Sequence, residues 1–397
     1  MDPTVTPADD STPDSRPSLS DRLLTTCARE TSAGRLIPQV DGLRFIAVTA
    51  VVCFHLDTQL GSPVTTSLLD RSVFALVRRG FLGVPLFFAI SAFIVALPYA
   101  NHHLNGGRKP TLGNFFLRRL TRLEPPYFFN LIVLWLLTYL ISGTPLFDRI
   151  PNLFASLVYQ HNQTFAHFST INAAAWSLEV EFQFYLLAPA LTFLFAIPNR
   201  WIRWLILAGA VLAVGALRNV TNERIHLSLP GSFEYFAAGF ITVDVYLSRW
   251  KGTLPGWIGW DLAALVGWTG FLFLNELSAT AHGALLHSAC LTLAFLGSLG
   301  GTVLPRFLAN RWIFTVGGMC YTIYLWHQSL MLSYTPSLNQ WLGPTQNHAG
   351  RFLLIATVGI PPMLAVCTLL FLWVEKPFMR RDWPTRVAAW FRRPTSP

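Results

Sequence analysis

The stretch DGLRFIAVTAVVCFHL, residues 41–56, is a nearly continuous apolar run that contains Arg44 and His55. A run of about 20 mostly apolar residues can cross a bilayer as one helix. On such a helix, the step from Arg44 to His55 returns to nearly the same face, about 16 Å farther along the axis. Ionisable side chains within a span are costly to bury, so they mark candidate functional sites. The alternative is that Arg44 reaches the inner headgroups and His55 marks the outer interface.

The composition extends this interpretation to the whole chain. The protein has 397 residues, of which 52% are hydrophobic and 12% are charged, whereas soluble domains carry about 25% charged residues. The sequence therefore predicts an all-α, polytopic integral membrane protein, a single bundle of about ten transmembrane helices. The predicted spans lie near residues 41–60, 81–100, 126–143, 174–197, 201–217, 231–248, 257–275, 283–303, 312–334 and 351–374.

The charge distribution predicts the topology. The net charge of +9 is compatible with nucleic-acid binding, but the Lys and Arg residues fall in short segments between apolar runs and form no basic patch, which argues against it. If the N-terminus is inside, most of these residues lie in the inner segments, as the positive-inside rule requires. We therefore expect a multi-pass protein of a bacterial-type inner (cytoplasmic) membrane, with both termini in the cytosol.

The chain divides into three predicted parts. Residues 1–34, rich in Ser, Thr, Pro and Asp, are expected to be a disordered cytosolic tail, residues 35–380 a transmembrane domain, and residues 381–397 a short basic cytosolic tail. None of the five Cys residues belongs to a CxxC pair, so neither a disulfide framework nor a zinc site is indicated and no metal is predicted.

A second polar cluster lies in the stretch NFFLRRLTRLEPPYF, residues 114–128. Arg119 and Arg122 share one face of a helix, and guanidinium groups bind phosphate through two parallel hydrogen bonds. The alternative is an ordinary positive-inside cluster that faces lipid phosphate. Pro125 and Pro126 are predicted to break or restart the helix.

A third cluster lies in AAWSLEVEFQFYLLAPAL, residues 174–191. Ser177, Glu181 and Tyr185 recur at four-residue spacing and form one polar stripe of a helix. We expect Glu181 to face the bundle interior and Glu179 to lie at the outer water boundary. Since a purely structural carboxylate is uncommon inside a membrane, Glu181 is a candidate functional residue.

A fourth cluster lies in GGMCYTIYLWHQSL, residues 317–330. Tyr321 and Tyr324 belong to one stripe, and His327 lies beside it in the interior of a span. The functional interpretation makes His327 part of a site. The alternative is an aromatic packing face that contains one hydrogen-bonded histidine.

Taken together and in this order, these stretches resemble the membrane acyltransferase-3 family. The resemblance covers residues 41 to 381 and rests on DGLRFIAVTAVVCFH, GFLGVPLFFAISAF, FFLRRLTRLEPPYF, WSLEVEFQFYL, CYTIYLWH and EKPFMRR. Pro85 and Ala92 stand where the family commonly has Asp and Gly. The resemblance implies a bundle of about ten helices and transfer of an acyl group from a coenzyme A thioester to a hydroxyl, so that residues 35–380 would be a transmembrane acyltransferase domain.

The resemblance also implies roles for individual residues. The positions that match family motifs are His55, Arg44, Arg119, Arg122, Glu181 and His327. As the family's essential histidine, His55 would act as general base, with Glu181 orienting a histidine or the acceptor hydroxyl. Arg119 and Arg122 would bind the phosphates of the donor, and Arg44 would either guide its thioester arm inward or hold another phosphate. The side chains expected to contact substrate or support the site are Tyr185, Tyr324 and His327.

The resulting functional hypothesis is transfer of an acyl group, acetyl by default, from acyl-coenzyme A to a hydroxyl of a cell-envelope carbohydrate or glycolipid. The expected partners are membrane lipid and this acceptor, with no nucleic acid. The alternatives are acylation of a small secreted glycoside, a transporter or flippase for a glycan or lipid-linked sugar, and a membrane-embedded sensor or structural protein. Saturable binding of acetyl-coenzyme A would separate the enzyme from the transporter and the sensor.

Overall fold

The computed structural model describes residues 18–30, 36–61, 67–143, 145–218, 223–343, 347–380 and 383, and this part of the chain contains helices but no β-strand. The first helices are α1 Leu19–Cys27, α2 Pro38–Gln59, α3 Leu68–Arg78, α4 Gly83–Asn105, α5 Leu112–Ser142, α6 Ile150–Leu157, α7 His161–Phe165, α8 Trp176–Leu191 and α9 Arg200–Arg218. They are followed by α10 Glu223–His226, α11 Leu229–Asp244, α12 Gly259–Phe273, α13 Ala281–Gly300, α14 Leu304–Leu308, α15 Arg311–Gly318, α16 Cys320–Leu342 and α17 His348–Leu370. Short 3₁₀ or π turns extend or join several of these helices.

The structure confirms the all-α, polytopic membrane fold. Every predicted span coincides with helical structure. Within the described ranges, seven helical segments are long and apolar enough to cross a membrane: Pro38–Gln59, Leu68–Asn105, Leu112–Ile141, Ala173–Ala196, Arg200–Leu217, Ala281–Gly300 and His348–Met379. The other predicted spans, 231–248, 257–275 and 312–334, lie on α11, on α12 and on the pair α15–α16.

Helix α2 lies at the centre of the bundle, where it packs against α4, α15 and α16. It begins at Pro38, whose ring suits the first helical position because no hydrogen bond is lost there. Asp41 in the first turn complements the positive end of the helix dipole. Since Leu43 and Leu56 are fully buried, both ends of α2 are fixed by neighbouring helices.

The predicted span 312–334 is divided into two helices at Met319. Gly317 ends α15 against α2, where a Cβ atom would clash with the backbone carbonyl of Asp41. This close approach requires glycine, and glycine is a poor residue for continuing a helix. The chain therefore turns here, and α16 starts beside the first turns of α2.

The prediction that Pro125 and Pro126 break the helix is wrong, because α5 continues through both of them. A proline in a helix deprives the carbonyl four residues earlier of its donor. In a membrane bundle, neighbouring helices can supply donors to such a segment. The two carbonyls affected here are those of Thr121 and Arg122. Next to them, the Tyr321 hydroxyl of α16 donates to the carbonyl of Leu123 at 2.9 Å and joins α5 to α16 beside the prolines.

The N-terminal segment differs from its prediction. Helix α1 lies within residues 1–34, which were expected to be disordered. Asp21 of α1 accepts a hydrogen bond from Ser18 and pairs with Arg311 of α15 at 2.7 Å, and these contacts hold the pKa of Asp21 below its usual value. Residues 1–17 and 31–35, and the predicted basic tail 381–397 apart from Trp383, lie outside the described residues.

Candidate active site

A cavity of about 90 Å³ lies between helices α2, α4, α5, α8 and α16. Its lining includes six of the residues singled out from the sequence: Arg44, Arg119, Arg122, Glu181, Tyr185 and Tyr324. Arg44 lies far in sequence from Arg119 and Arg122, and the packing of the helices brings all three to one cavity. Three guanidinium groups around one cavity create a site for a ligand with several negative charges.

Asp41 fixes the position of Arg44. Its buried carboxylate accepts hydrogen bonds from Arg44 Nη1 and from Arg29 Nε, each at 2.8 Å. Burial, followed by the positive charge of Arg44, lowers the pKa of Arg29 to about 10. Asp41 is not among the residues predicted for the site, although its position three residues before Arg44 on a helix is a usable signal.

Arg122 is held less completely. Its Nε atom is buried and has no hydrogen-bond partner among the described residues. The charge of Glu375, which is 1% exposed, acts on Arg122. Oε2 of Glu375 accepts from the backbone N–H and hydroxyl of Thr322 at 3.1 and 2.5 Å, whereas its Oε1 has no hydrogen-bond partner among the described residues. A buried guanidinium that is not fully hydrogen-bonded is costly unless a ligand completes its partners.

Arg119 lies over the ring of Tyr185, with 5.1 Å between its guanidinium carbon and the ring centroid. Such a cation–π contact fixes the side chain without using its hydrogen-bond donors. The adjacent Arg118 is exposed and donates to the carbonyl of Asn114. Because consecutive residues of a helix point in different directions, Arg119 lines the cavity while its neighbour Arg118 lies on the surface.

Glu181 is half-buried and lines the same cavity. Its Oε1 atom accepts hydrogen bonds from the hydroxyls of Ser91 and Tyr185. Ser91 was not singled out, although a serine in the middle of an apolar span is itself a polar signal. The expectation for Glu179 is wrong: it is completely buried and accepts a hydrogen bond from the backbone N–H of Asn162 at 2.9 Å.

Tyr324 connects the cavity to a pair of histidines. The Tyr324 hydroxyl donates to the carbonyl of Ala174 at 2.9 Å and accepts from Ser177 at 2.7 Å. Its ring lies 5.8 Å from that of His327, which in turn lies 5.1 Å from the ring of His55. Neither histidine lines the cavity, so His55 lies beyond Tyr324 and His327.

The hydrogen bonds of His327 define its tautomer. The Nδ1 atom lies 2.8 Å from the carbonyl oxygen of Tyr324, and because a carbonyl can only accept, Nδ1 carries the proton. The Nε2 atom of His327 is therefore a proton acceptor in the neutral ring. It is buried and has no hydrogen-bond partner in the part of the chain that the structure describes. His55, in contrast, is half-buried.

The described ranges contain no group of three or more His, Cys, Asp or Glu side chains placed to hold a metal ion. The polar groups that line or adjoin the cavity are its arginines, the Glu181 carboxylate, its hydroxyls and the two histidines.

The fold and the cavity define the class of the protein: it is a polytopic helical membrane protein with a candidate site for an anionic ligand. Residues 37–372 match the acyltransferase-3 family, which is described as an acyltransferase domain. The chain belongs to this family, as the resemblance predicted.

Two curated relatives are peptidoglycan O-acetyltransferase OatA of Listeria monocytogenes and O-acetyltransferase OatA of Staphylococcus aureus. The first is 23% identical over 381 residues, which cover 87% of this chain and 56% of the relative. The second is 24% identical over 326 residues, which cover 75% of this chain and 51% of the relative. The chain thus spans about half the length of these relatives. No solved structure matches the chain significantly.

Proposed function

We propose that the protein transfers an acetyl group from acetyl-coenzyme A to a hydroxyl of a cell-envelope carbohydrate or glycolipid. Membership of the acyltransferase-3 family supports the reaction class. One curated relative is named a peptidoglycan O-acetyltransferase, which supports a carbohydrate acceptor. The single observation that carries the proposal is the convergence of Arg44, Arg119 and Arg122 on one cavity that also contains Glu181.

The arginines are proposed to bind the donor. Coenzyme A carries phosphate groups, and Arg can bind phosphate through two parallel charge-assisted hydrogen bonds. The unpartnered Nε atom of Arg122 is a buried donor that such a phosphate oxygen could accept from. A cavity of about 90 Å³ accommodates only part of the donor, so the remainder would extend outside it, toward the cytosol.

His55 is proposed to act as the general base. The acceptor oxygen attacks the thioester carbonyl while the neutral imidazole of His55 removes its proton, the carbon–sulfur bond breaks, and the departing thiolate recovers that proton as coenzyme A. General-base assistance of this kind contributes about 10²- to 10⁴-fold in rate. His327, in ring contact with His55, is proposed to position it. The donor carbonyl must pass Tyr324 to reach this pair.

Glu181 is proposed to orient the reacting groups through its contacts with Ser91 and Tyr185. Residues 35–380 are proposed as the transferase domain, embedded in a bacterial-type inner membrane with both termini cytosolic. In this orientation Arg44 lies toward the cytosol and His55 lies deeper along α2, so the donor would approach from inside. An acceptor from the other side would meet the activated carbonyl near His55.

Binding of acetyl-coenzyme A by the purified full-length protein tests this proposal. We expect saturable binding that Arg119→Gln weakens about tenfold, the size expected for losing one charged hydrogen-bond donor. Arg118→Gln removes the same charge one residue away from the cavity and should leave the affinity unchanged. Equal weakening by both variants, or transport of a glycan without consumption of the thioester, would reject the enzyme assignment.

A further inference from the structure

A second cavity, with a volume of about 290 Å³, lies among α2, α3, α4 and α12. Its α2 lining includes Ile46, Ala50 and Cys53. Ile46 and Cys53 project from the face of α2 opposite to Arg44, because two and nine residues from Arg44 amount to about half a turn beyond whole turns. The second cavity is therefore separated by the body of α2 from the first cavity, which is lined by Arg44, Arg119 and Arg122 and is called the donor cavity after its proposed ligand.

The lining of this second cavity is almost entirely apolar. Small residues create its space: Ala50 lines it from α2, and Gly80 lines it at the start of α4. A Cβ atom on Gly80 would clash with the carbonyl of Ala50, so the two segments touch and the cavity opens beside their contact. Apolar cavities of this kind do not hold water well and accept apolar ligands instead.

Arg79 is the one charged residue among the described residues that line the second cavity. Its Nε atom donates to the carbonyl of Leu272 at 2.9 Å, and its Nη1 atom donates to the carbonyl of Ala75 at 2.6 Å. The guanidinium also lies over the ring of Phe273 at 4.6 Å. The group is thus held in place, and its Nη2 atom makes no hydrogen bond to the described residues, so it remains available for an anion.

Helix α3 indicates the depth of Arg79 in the membrane. The helix is amphipathic, and its leucines Leu68, Leu69 and Leu76 are 80%, 62% and 57% exposed, while Arg71 is also exposed. An amphipathic helix with exposed leucines and arginines lies in the plane of the headgroup region. Arg79 directly follows α3, so a headgroup position of α3 would place its guanidinium near lipid phosphate. The cavity extends along α2 from Cys53 to Ile46, about 10 Å.

From this arrangement we propose that the second cavity binds an anionic phospholipid, with one acyl chain inside it and the phosphate on Arg79. The apolar lining fits the chain, the guanidinium fits the phosphate, and α3 sets both at the depth that such a lipid occupies. The site is independent of acyl transfer, because it shares no lining residue with the donor cavity.

Native mass spectrometry tests the site on the full-length protein. The protein is reconstituted into nanodiscs made from equal amounts of phosphatidylcholine and phosphatidylglycerol, and the lipids that remain bound after release are identified by mass. We expect one phosphatidylglycerol per chain, and we expect Arg79→Gln to lower its occupancy about tenfold, since one charged hydrogen-bond donor is lost. Arg71→Gln removes the same charge from the exposed face of α3 and should retain the lipid.

A second pair of variants tests the cavity without changing charge. Ala50→Leu fills the space for the acyl chain and should also release the lipid, whereas Thr49→Leu places the same leucine side chain at an exposed position and should not. The proposal would be overturned if the wild type retained both lipids equally. It would also be overturned if the two arginine variants, or the two leucine variants, retained phosphatidylglycerol equally. If Arg79→Gln fails to fold, the alanine and threonine variants decide the matter alone.

Discussion

Two arginines inside the bundle, the buried Arg203 and the half-buried Arg122, differ in how completely they are partnered. Arg203 uses all three guanidinium nitrogens: Nε and Nη2 donate to Asp244 at 3.1 and 2.5 Å, and Nη1 donates to the carbonyls of Ile197 and Pro198. Arg122 leaves its buried Nε atom without a partner among the described residues. The bundle can therefore supply a hydrogen-bond partner for every guanidinium nitrogen of a structural arginine, as it does for Arg203.

This difference in hydrogen bonding distinguishes the region around Arg203, which is structural, from the region around Arg122, which is proposed to bind a ligand. The contacts of Arg203 join α9 to α11 in a part of the bundle where no donor cavity is found, and Trp204 adds a third hydrogen bond to Asp244 at 2.8 Å. At the cavity proposed to bind the donor, the positive charges of Arg44 and Arg119 oppose that of Arg122, and the carboxylate of Glu375 offsets this repulsion. An incompletely satisfied cation indicates a binding site, and a fully satisfied one indicates structural support.

The largest expected effect is on the rate of acyl transfer, and it should arise from the proposed site and not from the rest of the bundle. His55→Ala should lower kcat by about 10²- to 10⁴-fold, because the general base is removed. The exposed His282 of α13 provides the control, and His282→Ala should retain the wild-type rate. The measurement is release of coenzyme A from acetyl-coenzyme A by purified, folded protein in the presence of an acceptor glycan. A rate near that of the wild type for His55→Ala would remove His55 from the mechanism.

The next contrast concerns stability. Asp244→Ala should lower the free energy of unfolding by about 3–5 kcal/mol, because Arg203 would remain buried without its counter-charge. Unfolding in detergent by denaturant, followed through tryptophan fluorescence, measures the change. Asp148→Ala, at an exposed position, is the matched control and should leave stability unchanged. If both aspartate variants unfold at the same denaturant concentration, the Arg203–Asp244 pair is not structural support.

The sequence predicts the parts of this contrast that depend on local helical geometry. Arg119 and Arg122 share a face because they are three residues apart, and Glu181 and Tyr185 share a face because they are four apart. The structure places all four in the donor cavity. Hydrophobic runs likewise predict the helices themselves, since any spanning segment must satisfy its own backbone hydrogen bonds.

The contacts that the sequence does not predict join distant segments. Ser91 reaches Glu181 across the bundle, and Glu375 approaches Arg122 from the end of the chain. Which faces meet depends on packing among many helices, and the period of one helix does not contain that information. Glu179 shows the same limitation: its spacing suggested the water boundary, but a donor from residue 162 allows it to be buried.

Arg122→Gln should affect donor binding more than stability. We expect the dissociation constant for acetyl-coenzyme A to rise about tenfold, since one charged donor is lost. The loss of stability should be smaller than for Arg203→Gln, because Glu375 keeps its two hydrogen bonds from Thr322. Arg203→Gln is the matched variant and should do the reverse, lowering stability with no change in donor affinity. Calorimetric titration and denaturant unfolding of both proteins measure the two effects. Loss of stability in both variants, without loss of affinity in Arg122→Gln, would abolish the distinction.

The smallest expected effect lies at Ser91. Ser91→Ala removes one of the two hydroxyls that donate to Glu181 Oε1, while Tyr185 keeps the other hydrogen bond. We expect kcat to fall about fivefold, equivalent to roughly 1 kcal/mol for one hydrogen bond, with KM for the donor unchanged because no arginine is affected. Ser333→Ala, at an exposed position of α16, serves as the control. A change in donor KM with constant kcat would mean that Ser91 and Glu181 belong to the donor-binding part of the cavity, and that their role in orienting the reacting groups is wrong.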